Sequence, residues 1–358
     1  MRRLTRREFI ALGTTGLVLV TGGVARVMIQ PAPLPEQLSN RQEILPPQTS
    51  SDRAKFPGSS LPLPLWITAN EDLYTVQYDQ PPSISLTSWS LWIHGMVRET
   101  IRLTYDELRA LPSVTEMHTL ECIGNPAGGN LIGNVEWRGV SLRDLLAHVD
   151  VDPKATRVTI GGVDEYFTSV PLERVTHEHA LLAYEMNGQP LPNAHGYPLR
   201  AILPGVYGQK QPKWVTGIKL SDTEDLGPWE QKGWSREATI QLNSGIVFPA
   251  EGKPVASGDI LIVGVAHASE VGVESVEVST DGGKTWNKAE LTHGPSPYVW
   301  TEWGYWFRNA APGEYQLMVR ATDNRGNNQD QLSTGILRDV FPNGTSAIHS
   351  ITIQVHDP

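Results

Sequence analysis

Sulfur is almost missing from the chemistry of this chain: among its 358 residues there is one cysteine, Cys122. A single cysteine cannot close an intramolecular disulfide, build a CxxC zinc site or an iron–sulfur cluster, or attach haem through CxxCH. Any metal group bound here therefore takes at most one protein thiolate. Positive charge is also scarce, with 29 Lys and Arg against 39 Asp and Glu and a formal net charge of -10. With no basic stripe along the chain, a nucleic-acid surface is excluded as a working reading. Long apolar runs are lacking too. The stretch Ala11 to Ala25 carries no charge but is rich in Gly and Thr, more like the apolar region of an export signal than a span of about 20 apolar residues.

What is present begins with Thr5-Arg6-Arg7-Glu8-Phe9-Ile10 ahead of that uncharged stretch. The pattern resembles a twin-arginine export signal, a route that carries proteins already folded. Export after folding suits a protein that receives a redox cofactor in the cytoplasm and works outside it, in the periplasm or an equivalent extracytoplasmic space. Residues 1–29 are thus expected to be a signal or, if retained, a membrane anchor. Residues 30–64, rich in Pro, Gln and Ser without apolar periodicity, are expected to be a tether. Globular sequence starts near Leu65, and what remains exceeds one ordinary core, so two domains are expected.

Cys122 has informative surroundings. The run His118-Thr119-Leu120-Glu121-Cys122 reads as a β-strand that breaks at Gly124-Asn125-Pro126, followed by Gly128-Gly129-Asn130 and Gly133-Asn134. A cysteine at a strand end before a glycine-rich loop presents its sulfur where backbone can approach a ligand closely. The alternative is a buried cysteine acting as a small hydrophobe. Thr104 with Glu107, and Ser141 with Asp144, have the spacing of helix N-caps and carry no chemistry.

After residue 239 the pattern changes. Ile260-Leu261-Ile262-Val263-Gly264-Val265 reads as a buried strand, while Val276 and Val278, then Tyr315, Leu317, Val319 and Ala321, then Ile351, Ile353 and Val355 alternate with polar neighbours. Short period-2 strands with Gly and Pro turns describe an immunoglobulin-like sandwich. Trp286, after the Asp281-Gly282-Gly283 turn, is expected in its core.

Thr119-Leu120-Glu121-Cys122 with Gly124-Asn125, then Leu182 to Pro192, His195-Gly196-Tyr197-Pro198-Leu199-Arg200, Pro204-Gly205, Gly208 and Lys213-Trp214 together resemble the molybdenum-cofactor domain of the sulfite oxidase family. The stretches around Val276–Trp286 and Arg320–Gln329 are similar to the dimerisation domain that follows it in that family. The resemblance implies an α+β molybdenum-cofactor domain at 65–238, an immunoglobulin-like sandwich at 239–358 and a homodimer. It also implies that Cys122 ligates molybdenum beside one molybdopterin. Pterin and phosphate contacts fall on His195, Arg200 and Gln211-Pro212-Lys213, with Asp164 and the turn Tyr74-Thr75-Val76 completing the shell. Arg and Lys suit a phosphate, Asp164 can accept from a pterin ring and His195 can donate to it. Taken singly, Arg200 and Lys213 could instead be surface charges, His195 a loop histidine and Asp164 a turn residue.

Substrate residues depart from the family. Pro126 and Ala127 stand where sulfite-oxidising members carry Arg-Arg, their early-turn arginine falls on Val76, and the one lent by the dimerisation domain falls near Thr301. Their active-site tyrosine falls on Trp234, which would give an apolar catalytic wall. The resemblance thus implies an oxidoreductase transferring an oxygen atom and two electrons on a small substrate other than sulfite, unless Arg138 or Arg236 restores anion binding. A sulfite dehydrogenase feeding a cytochrome c, and a non-catalytic partner-binding module, are the alternatives. No haem is expected, so electrons must pass to a separate cytochrome c or quinone-linked protein.

Overall fold

The computed structural model describes residues 67–333 and 339–357. The expected signal and tether lie outside the described residues, as does Leu65. The described chain is mostly β, with helices of no more than six residues, and none is long and apolar enough to cross a membrane.

Two sheets form the first half. One is mixed and five-stranded, in the order Ile101–Thr104, Ser90–Gly95, Val215–Ser221, Arg157–Gly162, Phe167–Pro171. Its inner face buries Leu91, Ile93, Ile160 and Ile218 against the helix Leu142–Ala147 and its neighbours. The other pairs Ser113–Glu121 with Ile132–Ser141, then Leu181–Met186, to which Gln189–Pro190 and Arg200–Ile202 add. Leu120, Val135, Trp137 and Met186 fill its core. Each such side chain, fully withdrawn from water, contributes about 1.5–3 kcal/mol.

Local signals explain the helices. Thr104 Oγ1 accepts from the Glu107 N–H while a Glu107 carboxylate oxygen accepts from the Thr104 N–H, completing the capping box of Tyr105–Arg109. Ser141 Oγ accepts from the Asp144 N–H at 3.2 Å and starts the helix Leu142–Ala147.

The second half is the expected sandwich. One sheet runs Asn243–Phe248, Gly258–His267, Thr301–Ala310, Glu290–Thr292; the other runs Pro254–Ala256, His349–His356, Gly313–Asp323, Val273–Ser279, Asn287–Lys288. The alternating strands put Val276, Val278, Leu317, Val319, Ile351 and Ile353 into a common core with Ile260 and Ile262. The strand Gly258–His267 is apolar on both faces for a physical reason. Its even residues face the sandwich core, while Val265 packs with Val299 and Trp300 on Met117 and Ile132 of the first half. Trp286 departs from expectation: it is half-buried at the surface under the Arg320 guanidinium, 4.2 Å from the ring centre, and not in the core. It directly precedes Asn287–Lys288, the two-residue edge strand of its sheet, where the ring lies at the surface within reach of a cation.

The two halves are joined tightly around Cys122. Thr119 N–H donates to the Tyr298 carbonyl at 2.9 Å, the Trp300 N–H donates to Thr119 Oγ1 at 2.8 Å, and Asn243 Nδ2 donates to Glu121 Oε2 at 3.0 Å. Gly128, at φ +68, is required twice over: a Cβ there would lie 2.1 Å from His349 Nε2.

Candidate functional site

The strand Ser113–Glu121 ends one residue before Cys122, as its sequence predicts. The Cys122 N–H donates to the Leu131 carbonyl, and the Asn125 N–H closes a turn onto the Cys122 carbonyl, both at 2.9 Å. Asn125 locks the loop from inside, accepting from the Leu131 N–H at 2.9 Å and donating to Glu121 Oε1 at 3.1 Å. The thiol is half-buried, and burial pushes its pKa up, with a further push from the Glu121 carboxylate and an opposing hydrogen bond from the Gly124 backbone. A thiol so placed favours its neutral form until a cation joins it.

Three tyrosines stand around the thiol. Tyr74, Tyr166 and Tyr207 all have phenol pKa values raised well above the ordinary value, chiefly by burial, with Cys122 among their electrostatic neighbours. Tyr166 and Tyr207 went unrecognised in the sequence. Tyr207 could have been noticed inside Pro204-Gly205-Val206-Tyr207-Gly208, whereas Tyr166 carries no local signal. Trp234 packs on the cluster of Ile123, Tyr207 and Ala238, so it does stand beside the cysteine loop. Its outer face meets Phe341 edge-on, with centroids 5.1 Å apart.

A second group lies along the strand Arg200–Ile202 and the segment after it. Arg200 is buried, and among the described residues no carboxylate pairs with it. Its Nη1 donates to the His195 carbonyl at 3.4 Å, its Nε has no partner, and the guanidinium sits over Trp137 at 5.4 Å. Burial lowers its pKa to about 10. Lys213 Nζ donates to the Ala194 carbonyl at 2.9 Å, and burial, then Arg200, lowers its pKa to about 7 against the pull of Asp164. The two cations are brought together by Gly196, at φ +113, where a Cβ would lie 3.1 Å from Lys213 Cβ and 3.2 Å from Arg200 Cβ. Neither Arg200 nor Lys213 is a surface charge. An uncompensated buried guanidinium beside a lysine costs several kcal/mol, and a bound phosphate supplies the missing anion. The chain therefore fits a phosphate-bearing cofactor.

The remaining expected contacts divide. Asp164 accepts from the Tyr166 N–H at 3.3 Å, and burial raises its pKa while Lys213 pulls the other way. His195 is buried, with its pKa lowered to about 4 by burial and then by Arg200 and Lys213. Its Nε2 lies 3.1 Å from the Asn70 carbonyl and so carries the proton. Nδ1 is left as an acceptor, which corrects the expectation that His195 donates to the pterin. Gln211 has a second task. Its Oε1 accepts from the Leu203 N–H and its Nε2 donates one hydrogen to the Val206 carbonyl at 2.8 Å, so the amide braces the loop with one N–H to spare. Pro212 is buried, and its carbonyl accepts from the Ala201 N–H. Thr75 and Val76 are exposed and belong to a rim.

Thr301 is not at this site. It lies inside the strand Thr301–Ala310 with its hydroxyl 3.3 Å from His293 Nδ1, lining a groove of the sandwich of about 550 Å³. Besides Asn243 and His267, which meet Glu121, the segment Phe341–Gly344 lies near the cysteine loop: the Tyr207 phenol lies against Gly344 and Phe341 meets Trp234. Nor do the two spare arginines help: Arg138 donates to Ser113 Oγ at 3.1 Å, and Arg236 faces Glu224 at 3.6 Å on the surface.

Comparison with known proteins agrees with this geometry. Residues 78–229 match the oxidoreductase molybdopterin binding domain, and residues 236–355 match the Mo-co oxidoreductase dimerisation domain. The class is thus a molybdopterin-dependent oxidoreductase. Mitochondrial sulfite oxidase of Rattus norvegicus is 29% identical over 81% of this chain, which spans 62% of that protein's length. Sulfite oxidase of Gallus gallus is 30% identical over 74% of this chain and 68% of its own. The chain belongs to the sulfite oxidase family. In fold it resembles the sulfane dehydrogenase SoxCD from Paracoccus pantotrophus, with a TM-score of 0.70 at 23% identity, covering 97% of this chain and 99% of that one.

Proposed function

We propose that this oxidoreductase works outside the cytoplasm on a small substrate of lower charge than sulfite, exchanging an oxygen atom and two electrons. The observation that carries the reading is that the Tyr74 phenol has both the Cys122 thiol and Arg200 among its electrostatic neighbours, while Arg200, buried and without a carboxylate partner among the described residues, has Lys213 beside it. When bound, molybdenum supplies the oxygen-atom and electron chemistry, and the protein supplies binding, orientation and electrostatics.

Each residue then has a definable task. Cys122 holds the metal from a loop that Asn125 keeps rigid. Arg200 and Lys213 bind the phosphate, while Asp164 and the His195 Nδ1 lone pair accept hydrogen bonds from the ring. Trp234 closes one side as an apolar wall against Ile123 and Tyr207. The charge next to the thiol argues for a weakly charged substrate: Glu121 precedes Cys122, and Arg138 and Arg236 are engaged elsewhere. A dianion brought into such surroundings would be buried without compensation.

Two subunits joined through the sandwich, and a separate electron carrier such as a cytochrome c or a quinone-linked protein, complete the reading. A substrate screen on metal-loaded protein, run with artificial electron acceptors and donors, tests it. Turnover of a sulfoxide or similar neutral compound above sulfite supports it, and preferred turnover of sulfite contradicts it.

A further inference from the structure

An ion pair withdrawn completely from water joins two segments that carry the walls of the site. Lys210 and Glu230 each expose 1% of their side chains, with Lys210 Nζ 2.5 Å from Glu230 Oε1. That oxygen also accepts from Thr168 Oγ1 at 2.8 Å and from Gln209 Nε2 at 3.2 Å, while Lys210 Nζ donates further to Thr168 Oγ1 and the Ser169 carbonyl. Desolvating two opposite charges costs several kcal/mol each, and apolar residues of the same volume often serve stability as well or better. A pair kept in such a place is better explained by the geometry it enforces.

That geometry converges on Cys122. The turn Gly208–Lys210 leads directly into Gln211-Pro212-Lys213, and its Gln209 carbonyl accepts from the Tyr166 hydroxyl at 2.5 Å. The turn Glu230–Lys232 leads into Trp234, and Gln209 Nε2 donates at 2.9 Å to the carbonyl of the next residue, Ser235. Tyr166 has the thiol among its electrostatic neighbours, and Trp234 packs on the cluster that contains Ile123, the residue after Cys122. Neither ring is held to the thiol by a bond of its own. Glu230 Oε2, Gln209 Oε1 and Ser169 Oγ stay buried without partners among the described residues. Tolerating those orphans costs further stability, again favouring a network selected for placement.

We propose that Lys210 and Glu230 are positioning residues, setting the Tyr166 and Trp234 rings against the substrate space over Cys122. Their action is indirect, through the two turns, and the proposal rests on the reading of that space given above. It predicts that removing the charges while keeping the volume leaves the fold intact and loosens the two rings.

The test compares full-length wild type, the apolar pair Lys210→Met with Glu230→Leu, and the reversed pair Lys210→Glu with Glu230→Lys. Each is labelled with fluorotryptophan, the Trp234 resonance being assigned by its loss in Trp234→Phe. Fluorine NMR and the spin-resonance spectrum of the singly reduced molybdenum are recorded after metal content has been measured. We expect the apolar pair to fold and load the metal at the wild-type level, with a Trp234 resonance several-fold broader or split and a heterogeneous molybdenum spectrum. The reversed pair should regain one sharp resonance. A single sharp wild-type Trp234 resonance in the apolar pair overturns the proposal. Should that pair fail to fold, Glu230→Gln, nearly the same shape, is read in the same way. If wild type carries no molybdenum the functional reading falls, and the fluorine spectra still judge the positioning role by themselves.

Discussion

Glu121 and His267 face each other across the boundary between the two halves, with Glu121 Oε2 3.6 Å from His267 Nδ1 and both side chains almost wholly buried. The same carboxylate takes hydrogen bonds from Asn125 and Asn243. The residue preceding the cysteine is therefore held partly by the sandwich, so the second domain helps to fix the first domain's site. Replacing Asn243 with Leu removes one donor from a buried carboxylate and is expected to cost about 1–3 kcal/mol. Denaturant unfolding of the variant against wild type checks this, and an unchanged midpoint would show that the contact contributes nothing.

Some of this was legible in the sequence, for reasons that individual residues make plain. Period-2 alternation at Val276, Val278, Leu317 and Val319 reports burial on one face and was readable directly. The strand end at Cys122 was readable because Gly124, Asn125 and Pro126 are local breakers. The donor role expected of His195 failed, and the bracing role of Gln211 went unseen, because the partners that decide them, Asn70, Leu203 and Val206, are not marked by the local sequence. Tyr166 and the Lys210–Glu230 pair were invisible for the same reason: their meaning lies in contacts across the fold, as with Glu230 and Thr168. Thr301 was misplaced because similarity in order along the chain does not say which strand of a sandwich points at its neighbour.

Stability of the cofactor-free protein should depend on pH through Lys213. Its folded pKa, about 7, lies below the ordinary 10.5, so between those values the unfolded chain binds a proton that the folded chain does not. Stability therefore rises with pH through that window, and below it the whole penalty of the buried ammonium is present. A phosphate-bearing cofactor compensates the charge and should flatten the dependence. Unfolding midpoints of apo and loaded protein across the window check this; parallel curves would contradict the anion seat.

Export should depend on the arginine pair itself. Replacing Arg6 and Arg7 with Lys keeps the charge but removes the feature the twin-arginine route reads, so the precursor is expected to accumulate in the cytoplasm. Fractionation and immunoblotting measure it, and wild-type levels of the double-lysine form outside would contradict the twin-arginine route and remove the support for cofactor loading before export.

Sulfite should be a poor substrate. Val76 is exposed at the rim, Pro126 and Ala127 bring no charge to the cysteine loop, and Arg138 and Arg236 are engaged elsewhere. Steady-state kinetics should show weak or absent sulfite oxidation. A Michaelis constant for sulfite near about 1 μM, the tight end of the range for enzymes, would contradict this account of the pocket.

The central claim is that Cys122, Arg200 and Lys213 hold a molybdenum cofactor, and the most direct measurement is the metal content of the protein itself. Full-length protein made in cells that assemble molybdopterin should carry about one molybdenum per chain. Cys122→Ser should fold with the same melting behaviour yet show no turnover. Soluble, folded wild-type protein that contains no molybdenum by elemental analysis would contradict the account at its base.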